Sequence, residues 1–150
     1  YLIEKGDSDN DNYALYMKNN GAFGCAAATG CAAFEFKDAA AVYIDSTGTF
    51  SLTNLTQHYL AANLNDAGNQ IDFYLDGVLA QSIGAALPGN TWAQPLSIGS
   101  QSFGAPNFFF AGTMDEVRIS AATRSADYYA FIYQNIAAAS TPSIGAEELQ

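Results

Sequence analysis

Ile71-Asp72-Phe73-Tyr74-Leu75-Asp76-Gly77-Val78-Leu79-Ala80 is the stretch from which the fold follows. Ile71, Phe73 and Leu75 alternate with Asp72, Tyr74 and Asp76, and the apolar run resumes after Gly77. Alternation with a period of two marks a strand, because successive side chains of an extended chain point to opposite faces. Asp-Gly suits the positive φ angles of a type I′ turn, whose twist matches that of two paired strands. The segment therefore predicts a tight hairpin, with Asp76 and Gly77 in structural roles at its turn.

The same period recurs outward from this hairpin. Tyr13, Leu15 and Met17 alternate with Ala14, Tyr16 and Lys18; Phe34 and Phe36 with Glu35 and Lys37; Val42 and Ile44 with Tyr43 and Asp45. His58, Leu60, Ala62 and Leu64 share one parity, and Leu96 with Ile98 marks a strand after Pro95. Phe108-Phe109-Phe110 leads through Gly112 into a strand at Met114–Ile119, where a bulge near Gly112 accounts for a slip of parity. Helical spacing enters only late: Ser125 is an N-cap candidate, followed by Tyr129, Ile132, Tyr133 and Ile136. Short strands joined by turns, with no alternating helices, predict an all-β antiparallel sandwich of jelly-roll type with a short C-terminal helix. Residues 1–139 are expected to form it and 140–150 to be a tail or linker. Alanine runs at 26–28, 39–41 and 137–139 are unusual for strands, and nothing in the sequence explains them.

A chain of 150 residues is long enough for one domain with its own two-layer core. Charged residues make up 13%, well below the usual quarter, as on secreted or cell-surface proteins. Fifteen acidic residues against five basic ones give a net charge of -10. Lys5, Lys18, Lys37, Arg118 and Arg124 are scattered singly, which excludes a nucleic-acid footprint. The same charge disfavours anionic membranes and leaves divalent cations, neutral glycans and proteins as partners. No apolar run approaches the roughly 18 residues needed to insert into a bilayer. No signal peptide is read at Tyr1-Leu2-Ile3, so a processed or excised piece is expected. Cys25 and Cys31 are the only cysteines, and their spacing fits neither a zinc knuckle nor a haem-attachment motif. A local disulfide is the better reading, with two separate buried thiols as the alternative.

Several segments, taken in order, resemble the laminin-G-like modules of the concanavalin A-like lectin/glucanase superfamily. They are Ile3-Glu4-Lys5-Gly6 with Asn12–Tyr16, Gln57–Ala62, Phe73–Val78, Pro95–Ser100, Phe110–Ser120 and Arg124–Tyr129. The Tyr-Leu-Asp-Gly-Val hairpin and the Asp-Glu-Val-Arg-Ile strand are the specific ones. The resemblance implies a sandwich that serves as a recognition or adhesion scaffold, and some members carry calcium. Gln57 stands where the family often has Trp, the loop at 25–31 resembles an insertion, and the family usually has one or more strands before the stretch that opens here. Their absence would open a sheet edge or a core groove, to be filled by β-augmentation from a preceding segment or a neighbour.

Asp7, Asp9 and Asp11 place carboxylates at every second position, as Ca2+ loops do. Asn12 occupies the place of the loop glycine and Lys18 that of the bidentate Glu, so a solvated hairpin loop is the competing reading. Asp115 and Glu116 lie in the family-like strand, where a structural carboxylate bonded to backbone amides is expected. Trp92, supported by Asn90, Gln94 and Tyr74, is the candidate sugar platform; a packing lid is the plain alternative. Asn54-Leu55-Thr56 fits a glycosylation acceptor. A retaining glycosidase needs two carboxylates about 5 Å apart. No Glu-x-Asp-x-x-Glu arrangement occurs, and the sole histidine, His58, lies in an apolar alternation that suits a buried, hydrogen-bonded role. The sequence thus predicts no enzyme but a non-catalytic extracellular recognition or adhesion module for a glycan or protein. The alternative is a self-assembling subunit of a surface filament or sheath, completed by strand addition from a neighbour.

Overall fold

A computed structural model describes residues 1–6, 12–18, 25, 30–37, 43–48, 56–85, 93–101 and 108–137. Among the described residues eight strands form two antiparallel sheets: β1 (Ile3–Lys5), β2 (Tyr13–Lys18), β3 (Cys31–Lys37), β4 (Tyr43–Thr47), β5 (Leu60–Asn65), β6 (Gln70–Leu75), β7 (Val78–Gly84) and β8 (Leu96–Ile98). The larger sheet has the order β4-β3-β2-β1-β8 and the smaller β5-β6-β7. One helix, α1 (Ala126–Ala137), follows.

Register sorts the side chains. In the larger sheet Ile98, Ile3, Leu15 and Phe34 lie opposite one another and share the inner face, while Ser97, Glu4, Ala14, Glu35 and Asp45 form the neighbouring row on the outer face. The core is where β3 meets β6: Ala32, Phe34 and Phe36 pack with Ile71 and Phe73. Burying one such aromatic side chain contributes about 1.5–3 kcal/mol. Tyr13, Leu15, Met17, Leu60, Ala62 and Leu64 are only partly buried around this centre.

The Asp76-Gly77 hairpin forms as read, with φ of 51° and 78° at its two turn residues. Asp76 does more than turn the chain. Its carboxylate accepts from the Tyr59 amide at 2.9 Å and lies 2.8 Å from His58 Nδ1. A bulge is present, but between Phe73 and Tyr74 in the β6–β7 pairing. Helix α1 lies over the outer face of β6, where the Tyr129 ring stacks on Tyr74 at 4.2 Å. Ser125 caps it by accepting from the Tyr128 amide at 3.3 Å. Cys25 and Cys31 form a disulfide with Cα atoms 5.7 Å apart.

The strand expected at Met114–Ile119 is absent. Residues 113–120 carry no regular structure, Val117 and Ile119 are exposed, and Glu116 adopts a left-handed φ of 53°. Alternation alone does not make a strand, because the backbone must also find a partner edge. No backbone hydrogen bond links 111–120 to another described residue.

Candidate functional site

The outer face of the larger sheet gathers polar groups that lie far apart in sequence. Glu35 stands in register with Asp45 on one side and Ala14 on the other, and Glu4 lies opposite Ala14. Ala14 and Glu4 are fully buried and Lys18 is 6% exposed, so this part of the face is largely covered. Tyr16, two residues along β2 on the same face, donates its hydroxyl to Glu35 Oε2 at 3.0 Å, and Tyr1 donates to Oε1 at 3.3 Å. The two rings stack at 4.8 Å with planes 14° apart. Gln101 donates to the Tyr1 hydroxyl at 3.2 Å. Lys18 bonds Asp45 at 2.5 Å and Thr47 at 2.7 Å, with its ammonium 5.6 Å from the Tyr16 ring centre.

Electrostatics follow from this packing. Burial raises the Glu35 pKa above the ordinary carboxylate value, and the charges of Asp45 and Glu4 push the same way; the hydrogen bonds from Tyr16 and Tyr1 act against the rise. Burial, with Glu35 and Asp45 nearby, holds the Tyr16 hydroxyl protonated far above its usual range. Asp45, by contrast, is balanced by a cation. The arrangement combines stacked aromatic rings with a carboxylate, an amide and an ammonium.

Two further concavities lie elsewhere. A cavity of ≈ 300 Å³ is lined by Gln57, His58, Asp115, Glu116 and Tyr133. A larger cleft of ≈ 1520 Å³ opens between the sheets, bordered by Leu15, Met17, Leu60 and Leu64 and by the 110–124 segment. Among the described residues no three His, Cys, Asp or Glu side chains are grouped to hold a metal ion.

Of the four residues proposed for a sugar platform, Gln94 and Tyr74 are described. Trp92 and Asn90 lie outside the described residues, as do Asp7, Asp9, Asp11 and the Asn54 triplet. Gln94 is part-buried, and its carbonyl accepts from Lys5 Nζ at 2.9 Å. Tyr74 sits in the other sheet and is 5% exposed beneath α1, so it has no open face for a ligand. Asp115 accepts a backbone amide, that of Glu116 at 2.8 Å, but does so on an exposed loop rather than in a strand. His58 is part-buried, as its alternation implied, and borders the smaller cavity with Asp115 and Glu116. Sequence reading missed Tyr16 and Glu35 as site residues. Each stood as the polar partner in an apolar alternation, the only signal of a shared face.

Two antiparallel sheets packed over one aromatic core, with a polar outer face, define a lectin-type sandwich. The model of the laminin-G type within the concanavalin A-like lectin/glucanases superfamily matches residues 2–128, and the chain belongs to that family. No curated protein and no solved structure matches it. No helix among the described residues is long and apolar enough to cross a membrane.

Proposed function

We propose that the chain is a non-catalytic extracellular recognition module that binds a neutral carbohydrate on the outer face of its larger sheet. The observation that carries this reading is the stacked Tyr1–Tyr16 pair with both Glu35 oxygens held by the two hydroxyls. Family membership supports a lectin-like scaffold, and the Cys25–Cys31 bridge suits an oxidising compartment. Glu35 and Asp45 are cross-strand neighbours, a placement that sets their Cβ atoms about 5 Å apart, so a glycosidase-like carboxylate pair is the competing reading. Here each is committed: Glu35 accepts from two tyrosines and Asp45 from Lys18, which suits holding a ligand better than passing protons to it. Screening the chain against immobilised oligosaccharides, with reducing ends assayed in parallel, tests both halves of the proposal. Binding without cleavage is expected. Cleavage would make Glu35 and Asp45 an acid and nucleophile pair, and a protein ligand with no glycan bound would move the recognition surface elsewhere.

A further inference from the structure

The chain has five lysines and arginines, and all five lie within the described residues. Lys5, Lys18 and Lys37 belong to β1, β2 and β3. Lys5 Nζ donates to the Gln94 carbonyl, Lys18 is buried, and Lys37 is part-buried. Arg118 and Arg124 are different. They sit in residues 115–125, each of which is exposed and none of which is in a helix or strand. Exposed stretches of this kind are where folded chains are nicked by proteases.

The two arginines are held in different ways. Arg124 is clamped by its backbone: its amide donates to Asn63 Oδ1 at 3.2 Å, and its carbonyl accepts from Asn63 Nδ2 at 3.4 Å. Next to it, Thr123 Oγ1 donates to the Leu64 carbonyl at 2.9 Å. Arg118 is held by its side chain, which donates to Glu116 at 2.7 Å and also bonds Tyr128. The side chains of Arg118 and Glu116 are 50% and 48% exposed, and a surface ion pair of this kind is readily exchanged for another. A protease takes its substrate as an extended strand. Val117 and Ile119, the uncharged neighbours of Arg118, are both exposed, and the alternation of the segment suits an extended course. Extending Glu116 also relieves its φ of 53°, a conformation that side chains rarely adopt.

We infer that the Arg118–Ile119 bond is a processing site, hydrolysed in the folded chain by an arginine-directed serine protease, and that Arg124–Ser125 is spared. The Arg118 guanidinium exchanges Glu116 for the carboxylate in the specificity pocket of such an enzyme. Water adds across the peptide bond, leaving a carboxylate on Arg118 and an ammonium on Ile119. Helix α1 stays in place after the cut, because Tyr129 and Ile132 are buried, the Tyr129 ring stacks on Tyr74, and Asn63 holds Arg124 beyond the new end. Residues 113–118 border the ≈ 1520 Å³ cleft, so hydrolysis turns part of that border into a chain end.

Treating the native chain with a trace of trypsin, and following intact mass and native gel filtration, tests this directly. The first cut is expected to give 1–118 and 119–150, which elute together in buffer and part on denaturing electrophoresis. Arg118→Gln should slow the first cut at least tenfold, and Arg124→Gln should leave it unchanged. Arg118 is half exposed at the surface, so its variant should keep the wild-type melting temperature. A first cut at Lys5, Lys18, Lys37 or Arg124 would overturn the inference. So would a chain cut only as fast as it unfolds globally in urea, or fragments that separate in native gel filtration.

Discussion

Glu35 is the residue at which packing and charge pull hardest against each other. Its folded pKa is raised, chiefly by burial, from an ordinary value of 4.5. The folded state therefore holds this proton more tightly than the unfolded chain does, and the contribution is favourable at low pH. It is lost as pH rises from about the unfolded value through the raised folded one. Glu35→Gln, which cannot ionise, should flatten the fall in stability over that window; denaturant melts between pH 4 and pH 8 would show it. An unchanged profile would mean that Glu35 is hydrated rather than buried. Gly77 is held just as tightly by its surroundings. A Cβ there would lie 2.8 Å from Tyr133 Cβ and 3.1 Å from Ala130 Cα, at a φ of 78°. Gly77→Ala should cost about 1–3 kcal/mol in the same melts, by left-handed strain and by lifting α1 off the turn.

Elements differ in how far they could be read in advance, and the difference is one of range. The hairpin across Asp76-Gly77 was legible because its turn chemistry and alternation are local. So was the bridge between Cys25 and Cys31, which closes a short loop at the head of β3. Reducing it should lower stability by about 2 kcal/mol on the loop-entropy argument, measured as a shift of the urea midpoint with and without dithiothreitol. Segment 113–120 has as clear a pattern as β6, but its partner strand is not specified by neighbouring residues, and it pairs with no other described residue. The outer-face site was illegible for the same reason. Tyr16, Glu35 and Asp45 come from three strands, and only the register of β2, β3 and β4 sets them side by side. The residues favoured from sequence were chiefly loop aromatics and amides; of those described, Tyr74 lies in β6 and Gln94 precedes β8, outside any strand.

Among the described residues the sandwich has five strands in one sheet and three in the other, and Leu96 and Ile98 at the β8 edge are 47% and 51% exposed. The outer face of the larger sheet carries polar groups, and the β8 edge and the cleft beside β5 carry apolar ones. The central claim is recognition by the outer face. Calorimetric titration of an oligosaccharide selected by screening, into the wild type and into Tyr16→Ala and Glu35→Gln, tests it most directly. Saturable binding should fall at least tenfold, about 1.4 kcal/mol, in either variant while the fold is retained. Equal affinity in all three proteins would place the ligand elsewhere and contradict it.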